Sequence, residues 1–275
     1  MSTPSNRTVT ISVPYHRCSG TIRRTIELLL AQTHRDLRVV IVNDGDTVTP
    51  PWPHLAHIDD PRLIRFDLPV NRGRYFADAV TLEACDTEWF AVHDADDWSE
   101  PEWLAELLES AERSGADAAF SPQVLHPMDE AAYVEPVVGL DTPGPEMRQL
   151  AHHAAIYRTE ALRRAGGYHP GFRVGYDTLV VNLMVLCGRV TATDRALYHR
   201  VARPDSLCTS PVSGGGSPMR ERAAQRLHEM YGLALEAGSA APVLADIPAS
   251  LLAEVRAEAR RLAATVPGVP TEPRV

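Results

Sequence analysis

Apolar and polar positions repeat along the first part of the chain with two different periods. Residues 8–14 and 37–42 are apolar, β-branched runs that are typical of buried strands. Between them, Ile22, Ile26 and Leu29 fall on one stripe of a helix. A strand, a helix and a strand in succession predict a βαβ unit with parallel strands.

The same alternation continues to about residue 200. Further strands are predicted at 63–66, 89–92, 116–120 and 196–201, and helices lie between them, one of them opened by a capping box of Ser99 and Glu102. A glycine-rich loop at 213–217 and two amphipathic helices at 219–235 and 245–262 follow. We therefore expect an α/β fold with a mostly parallel central sheet and helices on both faces. One domain is expected at 1–212, with a flexible loop and helical appendage at 213–275.

Three carboxylates follow directly after the predicted strand at 89–92. Asp94, Asp96 and Asp97 should lie at the carboxyl end of that strand, where open α/β sheets bind ligands. A divalent cation between these acids and a phosphate-bearing ligand would relieve their mutual repulsion. A solvated, aspartate-rich turn is the alternative. Asp44 ends the strand at 37–42 at the same edge, although the Asp44-Gly45 dipeptide is also common in turns.

Several other charged residues stand at predicted element ends. Arg72 and Arg74 precede a helix, where they could meet a diphosphate or the acids, or remain solvated. Asp177 opens an apolar helix and is either an N-cap or a functional acid. His199 lies on the last predicted strand, where a lone histidine more commonly has a structural role.

Composition narrows the class of protein. The formal net charge is −9 and no Lys/Arg-rich run occurs, which argues against binding of nucleic acid. The four cysteines form no CxxC pair and are typical of reduced thiols in a cytoplasmic protein. No run approaches eighteen apolar residues, so we expect no transmembrane segment. The helices near the C-terminus are the expected contact of a possible homodimer.

Four places in the sequence, the first made of two segments, resemble in this order the family 2 glycosyltransferases of the GT-A fold. They are residues 11–14 (Ile-Ser-Val-Pro) with 28–33 (Leu-Leu-Leu-Ala-Gln-Thr), 42–45 (Val-Asn-Asp-Gly), 90–97 (Phe-Ala-Val-His-Asp-Ala-Asp-Asp) and 166–177, from Gly-Gly-Tyr to Asp177. The third of these is similar to the DXD signature of that family. The resemblance covers about residues 8–210.

The resemblance implies a Rossmann-like GT-A fold and an inverting glycosyltransferase of the hexosyltransferase type. Its donor would be a nucleotide-diphosphate sugar, usually a UDP-sugar, bound with Mg2+ or Mn2+. The acceptor would be a small molecule, a lipid-linked molecule or a glycan. On this carry-over Asp177 is the catalytic base, and Asp96, Asp94 and His199 are the metal ligands. The donor-binding residues are Pro14, Tyr15, Asn43, Asp44, Arg72, Arg74, Asp94 and Ala95.

The chain departs from the family pattern at three places. Asn43 stands where the family has the first acid of a pair, Tyr176 stands where an acid commonly precedes the base, and residues 77–79 (Ala-Asp-Ala) replace an Ala-Arg-Asn run. Two other functions fit the acids: a metal-dependent phosphatase or phosphotransferase, and a nucleotide-sugar-binding protein without turnover. Glycosyl transfer requires Asp44, Asp94, Asp96 and Asp177 to converge on one cleft.

Overall fold

The computed structural model describes residues 7–140, 143–148, 151–204 and 206–266. Its strands are β1 (Val9–Tyr15), β2 (Leu37–Asp44), β3 (Leu63–Leu68), β4 (Trp89–Val92), β5 (Trp98–Ser99), β6 (Ala118–Phe120), β7 (Gln123–His126), β8 (Tyr133–Glu135), β9 (Ala155–Arg158), β10 (Val190–Ala192) and β11 (Tyr198–Val201). Its α-helices are α1 (Ile22–Leu30), α2 (Arg74–Ala84), α3 (Trp103–Ser114), α4 (Thr159–Arg164), α5 (Tyr176–Cys187), α6 (Pro218–Ala237), α7 (Ala241–Ala245) and α8 (Ala249–Ala263).

The main sheet has the strand order β10-β6-β9-β4-β1-β2-β3. Strand β1 lies between β2 and β4 and runs parallel to both. Strand β9 is antiparallel to its two neighbours, β4 and β6. The structure confirms the predicted α/β fold with a mostly parallel sheet. A smaller sheet, in the order β5-β11-β7-β8, lies beyond the acids.

Apolar side chains project from both faces of the main sheet. In β2, Val40 and Val42 enter one buried cluster, which also contains residues of α2, α5, α6 and α8. The residues between them, Val39 and Ile41, enter a second cluster with residues of α1 and α3. Because the strand alternates between two cores, its whole sequence is apolar, as expected for a sheet covered on both sides.

The C-terminal helices share the first of these clusters. Leu227 and Tyr231 of α6 and Leu262 of α8 are buried in it. The boundary predicted after residue 212 and a homodimer through these helices remain predictions, as does the flexibility of the glycine-rich loop, in which Ser213 is buried. Residues 267–275 of that predicted appendage lie outside the described residues. Among the described helices, none is both long and apolar enough to cross a bilayer.

The capping box predicted at Ser99 and Glu102 is wrong. Residues Trp98–Ser99 form strand β5, and α3 begins at Trp103 without a side-chain cap. The reason is tertiary, because the backbone here pairs with β11, and the Glu100 N–H donates to Leu197 O at 2.8 Å. The short strands β9 and β10, together with β7 and β8, are absent from the sequence-based prediction.

Candidate active site

Strands β1, β2 and β4 end side by side at one edge of the main sheet. Tyr15, the last residue of β1, lies beside Asn43 of β2, and Ser12 lies beside Val92, the last residue of β4. The acids at 94–97 follow β4 immediately. The predicted donor residues at the ends of β1 and β2 therefore lie at the same sheet edge as the acids.

Asp94, Asp96 and Asp97 each offer a carboxylate oxygen within 4.8 Å of the others. Asp97 differs from the other two because it is buried, and its oxygens accept hydrogen bonds from the Tyr198 hydroxyl at 2.9 Å and the Val201 N–H at 2.8 Å. Burial, together with the charges of Asp94 and Asp96, raises the pKa of Asp97 well above its ordinary value. Asp97 thus ties β11 to the acidic turn, and Asp94 and Asp96 remain as the half-buried acids.

Arg74, at the start of α2, supplies the positive charge next to Asp94. A guanidinium nitrogen lies 2.8 Å from Asp94 Oδ1, and another lies 3.8 Å from Asp78 Oδ2. Burial raises the pKa of Asp94, but Arg74 and His153 lower it by more, so the net pKa lies well below the ordinary value. Since burial lowers the pKa of His153 to about 3, that imidazole is neutral at pH 7. Arg74 is therefore the charge that keeps Asp94 ionised.

Asp78 is a buried acid one helical turn after Arg74. Its side chain is fully buried, and Oδ1 accepts a hydrogen bond from the Ser12 hydroxyl at 2.8 Å. Burial raises the pKa of Asp78 to about 7, although Arg74 and Ser12 oppose the shift. The arginine thus lies between one strongly acidic carboxyl and one that titrates near neutrality.

Asp44 holds the start of α2 in place. Its two carboxylate oxygens accept the backbone N–H groups of Arg72 at 2.6 Å and Gly73 at 2.8 Å. The next residue, Gly45, has φ +66°, and an added Cβ would lie 2.4 Å from Asn71 N. Only glycine fits this close approach of the two loops. Contact of Asp44 with a donor remains a prediction.

Asp177 lies in the first turn of α5. The N-cap of that helix is Gly175, so the alternative that Asp177 caps it is wrong. Asp177 Oδ1 accepts a hydrogen bond from the Tyr75 hydroxyl at 2.8 Å. Burial raises the pKa of Asp177, but His152, Arg74 and the Tyr75 hydroxyl lower it by more, and the net pKa is below the ordinary value. The carboxylate is therefore ionised at neutral pH.

Four consecutive residues, 72–75, contact three of the predicted acids. The backbone of 72 and 73 binds Asp44, the side chain of Arg74 binds Asp94, and the side chain of Tyr75 binds Asp177. Asp96 follows two residues after Asp94. The structure thus places Asp44, Asp94 and Asp177 at the N-terminal end of α2, and Asp96 has a carboxylate oxygen within 4.8 Å of one of Asp94.

Arg203, just after β11, forms a hydrogen-bonded ion pair with Asp96. A second guanidinium nitrogen lies 3.2 Å from Cys18 Sγ. Carboxylate oxygens are the ligands that Mg2+ and Mn2+ prefer, so Asp94 and Asp96 suit such a cation. A cation on Asp96 would compete with the Arg203 guanidinium for the same oxygens.

Two predicted site residues make contacts away from Asp94 and Asp96. Arg72 forms an ion pair of 2.5 Å with Glu254 of α8. The His199 ring stacks on Trp98 at 3.5 Å between ring centroids, and its Nδ1 lies 3.0 Å from His126 Nε2. The proposed roles of Arg72 in donor binding and of His199 in metal binding stay predictions.

The remaining predicted donor residues are partly engaged within the protein. The Asn43 amide donates to Asp67 Oδ1 at 2.7 Å, and the Tyr15 hydroxyl donates to the Thr49 carbonyl. The Ala95 carbonyl accepts hydrogen bonds from the hydroxyls of Thr21 and Thr25, and Pro14 is half-buried at the end of β1. Contact of these four residues with a donor remains a prediction.

Tyr75, Asp78 and Arg203 are not among the predicted site residues, and Asp78 enters the sequence analysis only as part of a departure from the family pattern. Asp78 has a signal in the sequence, since it is a carboxylate inside an otherwise apolar helix. Tyr75 and Arg203 have no such signal, because each meets its acid across about a hundred residues of chain.

A model described as Glycosyl transferase family 2 matches residues 10–175 of the chain. The chain belongs to this family. This family 2 chain is 36% identical over 111 residues to the succinoglycan biosynthesis protein ExoO of Rhizobium meliloti, a match that covers 40% of the chain and 32% of ExoO. It is 26% identical over 219 residues to the uncharacterized glycosyltransferase EpsJ of Bacillus subtilis, which covers 74% of the chain and 63% of EpsJ. The matched part of the chain thus spans about a third of the length of ExoO and just under two thirds of the length of EpsJ.

The fold of this family 2 chain is similar to that of S. aureus TarS. The crystal structure of TarS 1-349 in complex with UDP-GlcNAc superposes with a TM-score of 0.64 and 18% identity, and covers 94% of the chain and 70% of TarS 1-349. At this identity the similarity shows the GT-A-like fold alone.

Proposed function

We propose that this chain transfers a sugar from a nucleotide-diphosphate sugar, with a UDP-sugar as the expected donor, to an acceptor hydroxyl with inversion. The observation that carries the proposal is the contact of residues 72–75 with Asp44, Asp94 and Asp177. Family membership supports glycosyl transfer over the phosphatase alternative. The fold shared with TarS bound to UDP-GlcNAc supports a nucleotide-sugar donor.

In the proposed reaction Asp177 is the base. Its carboxylate is ionised at neutral pH and takes the proton of the acceptor hydroxyl as that oxygen attacks the anomeric carbon. The bond from the anomeric carbon to the nucleoside diphosphate breaks on the opposite face, which gives inversion. Arg74 keeps Asp94 ionised, which is the form in which that carboxylate would hold a cation for the diphosphate leaving group.

Asp96 and Asp94 would hold Mg2+ or Mn2+, with His199 as the further predicted ligand. Such a cation supplies positive charge that stabilises the diphosphate leaving group. Pro14, Tyr15, Asn43, Asp44, Arg72, Arg74 and Ala95 are proposed to surround the donor. The proposed acceptor is a small molecule, a lipid-linked molecule or a glycan. The enzyme is proposed to be cytoplasmic.

The proposal is tested with a panel of UDP-sugars and Mn2+, in which released UDP measures donor hydrolysis. Asp177→Asn and Asp96→Ala are each expected to lower turnover by about 100-fold or more, because a base and a metal ligand are lost. Asp129→Asn, at an exposed acid between β7 and β8, is the control and keeps wild-type turnover. Wild-type turnover in both site variants would refute the proposal, and UDP binding without any turnover would favour the non-catalytic alternative.

A further inference from the structure

Tyr75 and Asp177 are joined by two hydrogen bonds although 102 residues separate them in the sequence. The Tyr75 hydroxyl donates to Asp177 Oδ1 at 2.8 Å, and the Asp177 backbone N–H donates back to the same hydroxyl at 3.3 Å. The tyrosine is 2% exposed, and its ring meets the Tyr176 ring edge-on at 5.8 Å between centroids. Its position is therefore fixed by α2 on one side and by the start of α5 on the other.

We propose that Tyr75 is a positioning residue, which orients the Asp177 carboxylate so that Oδ2 faces the acceptor hydroxyl. This inference rests on the proposed function, in which Asp177 is the base. Oδ1 is engaged by the tyrosine, and no hydrogen bond to Oδ2 is found among the described residues. Oδ2 is accordingly the oxygen that takes the proton.

The tyrosine can act only as a donor to the carboxylate. Burial and the charge of Asp177 raise the pKa of Tyr75 well above its ordinary value, so the hydroxyl keeps its proton at neutral pH. A phenylalanine would fill the same space without the hydroxyl. The substitution therefore separates the role of the hydrogen bond from that of the ring.

The first turn of α2 also sets the distance between the base and the donor acids. Arg74, the residue before Tyr75, binds Asp94 at 2.8 Å, and Asp44 anchors the two preceding N–H groups. Two neighbouring residues on one rigid turn thus reach the base and the first acid after β4. Such geometry keeps the acceptor side and the donor side in register.

The groups that face Asp177 define the expected pH effect. They are Arg74, Tyr75 and Asp78 on α2, Tyr157 on β9, and His152 and His153 before β9. Burial lowers the pKa of the two histidines to about 4 and about 3, so both are neutral at pH 7. Because the Tyr75 hydroxyl lowers the pKa of Asp177, its removal raises that pKa. The acidic limb of the rate profile should then move to higher pH.

The test uses the full chain and the UDP-sugar that the wild type hydrolyses fastest. Tyr75→Phe is expected to lower kcat by about 10- to 100-fold, to keep the donor KM within about twofold, and to move the acidic limb of kcat to higher pH. Replacement of Tyr75 by 3,5-difluorotyrosine makes the hydroxyl a stronger donor and moves the limb to lower pH. Tyr231→Phe, at a buried tyrosine on α6, is the matched control and changes none of these.

The base itself distinguishes this inference from the proposed function. In the background of Asp177→Asn, Tyr75→Phe is expected to cause no further loss, because the tyrosine acts through that carboxylate. If Asp177→Asn keeps wild-type turnover, the proposed function fails whatever Tyr75 does. If Asp177→Asn is inactive while Tyr75→Phe and the fluorinated protein keep the wild-type kcat and pH profile, the role of Tyr75 is overturned. If the Tyr75→Phe protein does not fold, the kcat and pH profile of the fluorinated protein decide whether Tyr75 has this role.

Discussion

One half-buried acid and one fully buried acid share an arginine at the start of α2. Arg74 lies 2.8 Å from Asp94 but 3.8 Å from Asp78, so its charge acts mainly on the nearer carboxyl. Asp78 has no contact with solvent, and the Ser12 hydroxyl is its hydrogen-bond donor. A buried carboxyl with one weak ion pair carries its proton to higher pH than a solvated one. Asp78 therefore makes folding stability depend on pH.

The first prediction concerns Asp78→Asn. The pKa of Asp78 is about 7 in the folded chain and about 4 when unfolded, so the folded state holds a proton that the unfolded state releases. This contribution is fully present below pH 4 and is lost as the pH rises through 7. Between pH 4 and pH 8 the wild type should lose about 2 to 4 kcal/mol of unfolding free energy relative to the variant. Urea denaturation at both pH values measures this, and parallel pH curves would contradict it.

The sequence indicates the acids better than the residues that hold them. Asp44, Asp94 and Asp96 follow predicted strands and Asp177 opens a predicted helix, so local pattern alone places them at element ends. Their partners depend on which loops meet in space. Tyr75 reaches Asp177 and Arg203 reaches Asp96 over more than a hundred residues, and no periodicity encodes such a contact.

At the scale of elements, strand β11 leads directly to an arginine that contacts the acidic turn. Asp97 accepts hydrogen bonds from Tyr198 and Val201 of this strand, and the chain then continues to Arg203, which pairs with Asp96. The strand therefore positions a guanidinium where a divalent cation would bind. Because both bind the same carboxylate oxygens, each should weaken the binding of the other.

The second prediction is that Arg203→Ala tightens the binding of Mn2+ in the absence of nucleotide. Loss of a partly exposed ion pair frees the Asp96 carboxylate, and the Kd for Mn2+ should fall by about two- to fivefold. Isothermal titration of the nucleotide-free protein measures the change. Arg195→Ala, at an exposed arginine paired with Glu106, is the control and leaves the Kd unchanged. Equal or weaker binding of Mn2+ by Arg203→Ala would show that no competition exists.

The long elements were predictable, whereas several of the shortest strands were not. Strands β1 and β2 and helices α1 and α6 carry enough residues for a clear period, and each lies close to its predicted range. Strand β5 has two residues and β10 has three, and both exist because a neighbouring strand pairs with them. Such strands arise from tertiary pairing, and a local pattern cannot show them.

Across the whole molecule, the C-terminal helices α6 and α8 contact two segments of the candidate site. Gly175, two residues before Asp177, has φ +79°, and a Cβ there would lie 3.2 Å from Leu227 Cδ1 of α6. Glu254 of α8 pairs with Arg72 at the start of α2. The two segments that carry the proposed base and its tyrosine thus both contact helices that follow residue 212. A site assembled in this way depends on those helices for its geometry.

The last prediction compares two leucines of α6. Leu227 is buried at 3% exposure, whereas Leu233 on the same helix is 51% exposed. Leu227→Ala should lower the unfolding free energy by about 2 to 5 kcal/mol through the cavity that it leaves, and Leu233→Ala by about 0.5 kcal/mol or less. Urea denaturation measures both. Because Leu227 lies against Gly175, its variant should also lower donor hydrolysis under conditions where it stays folded. Equal stability of the two variants would mean that α6 does not pack on α5 in solution, and the helices would then be an independent appendage.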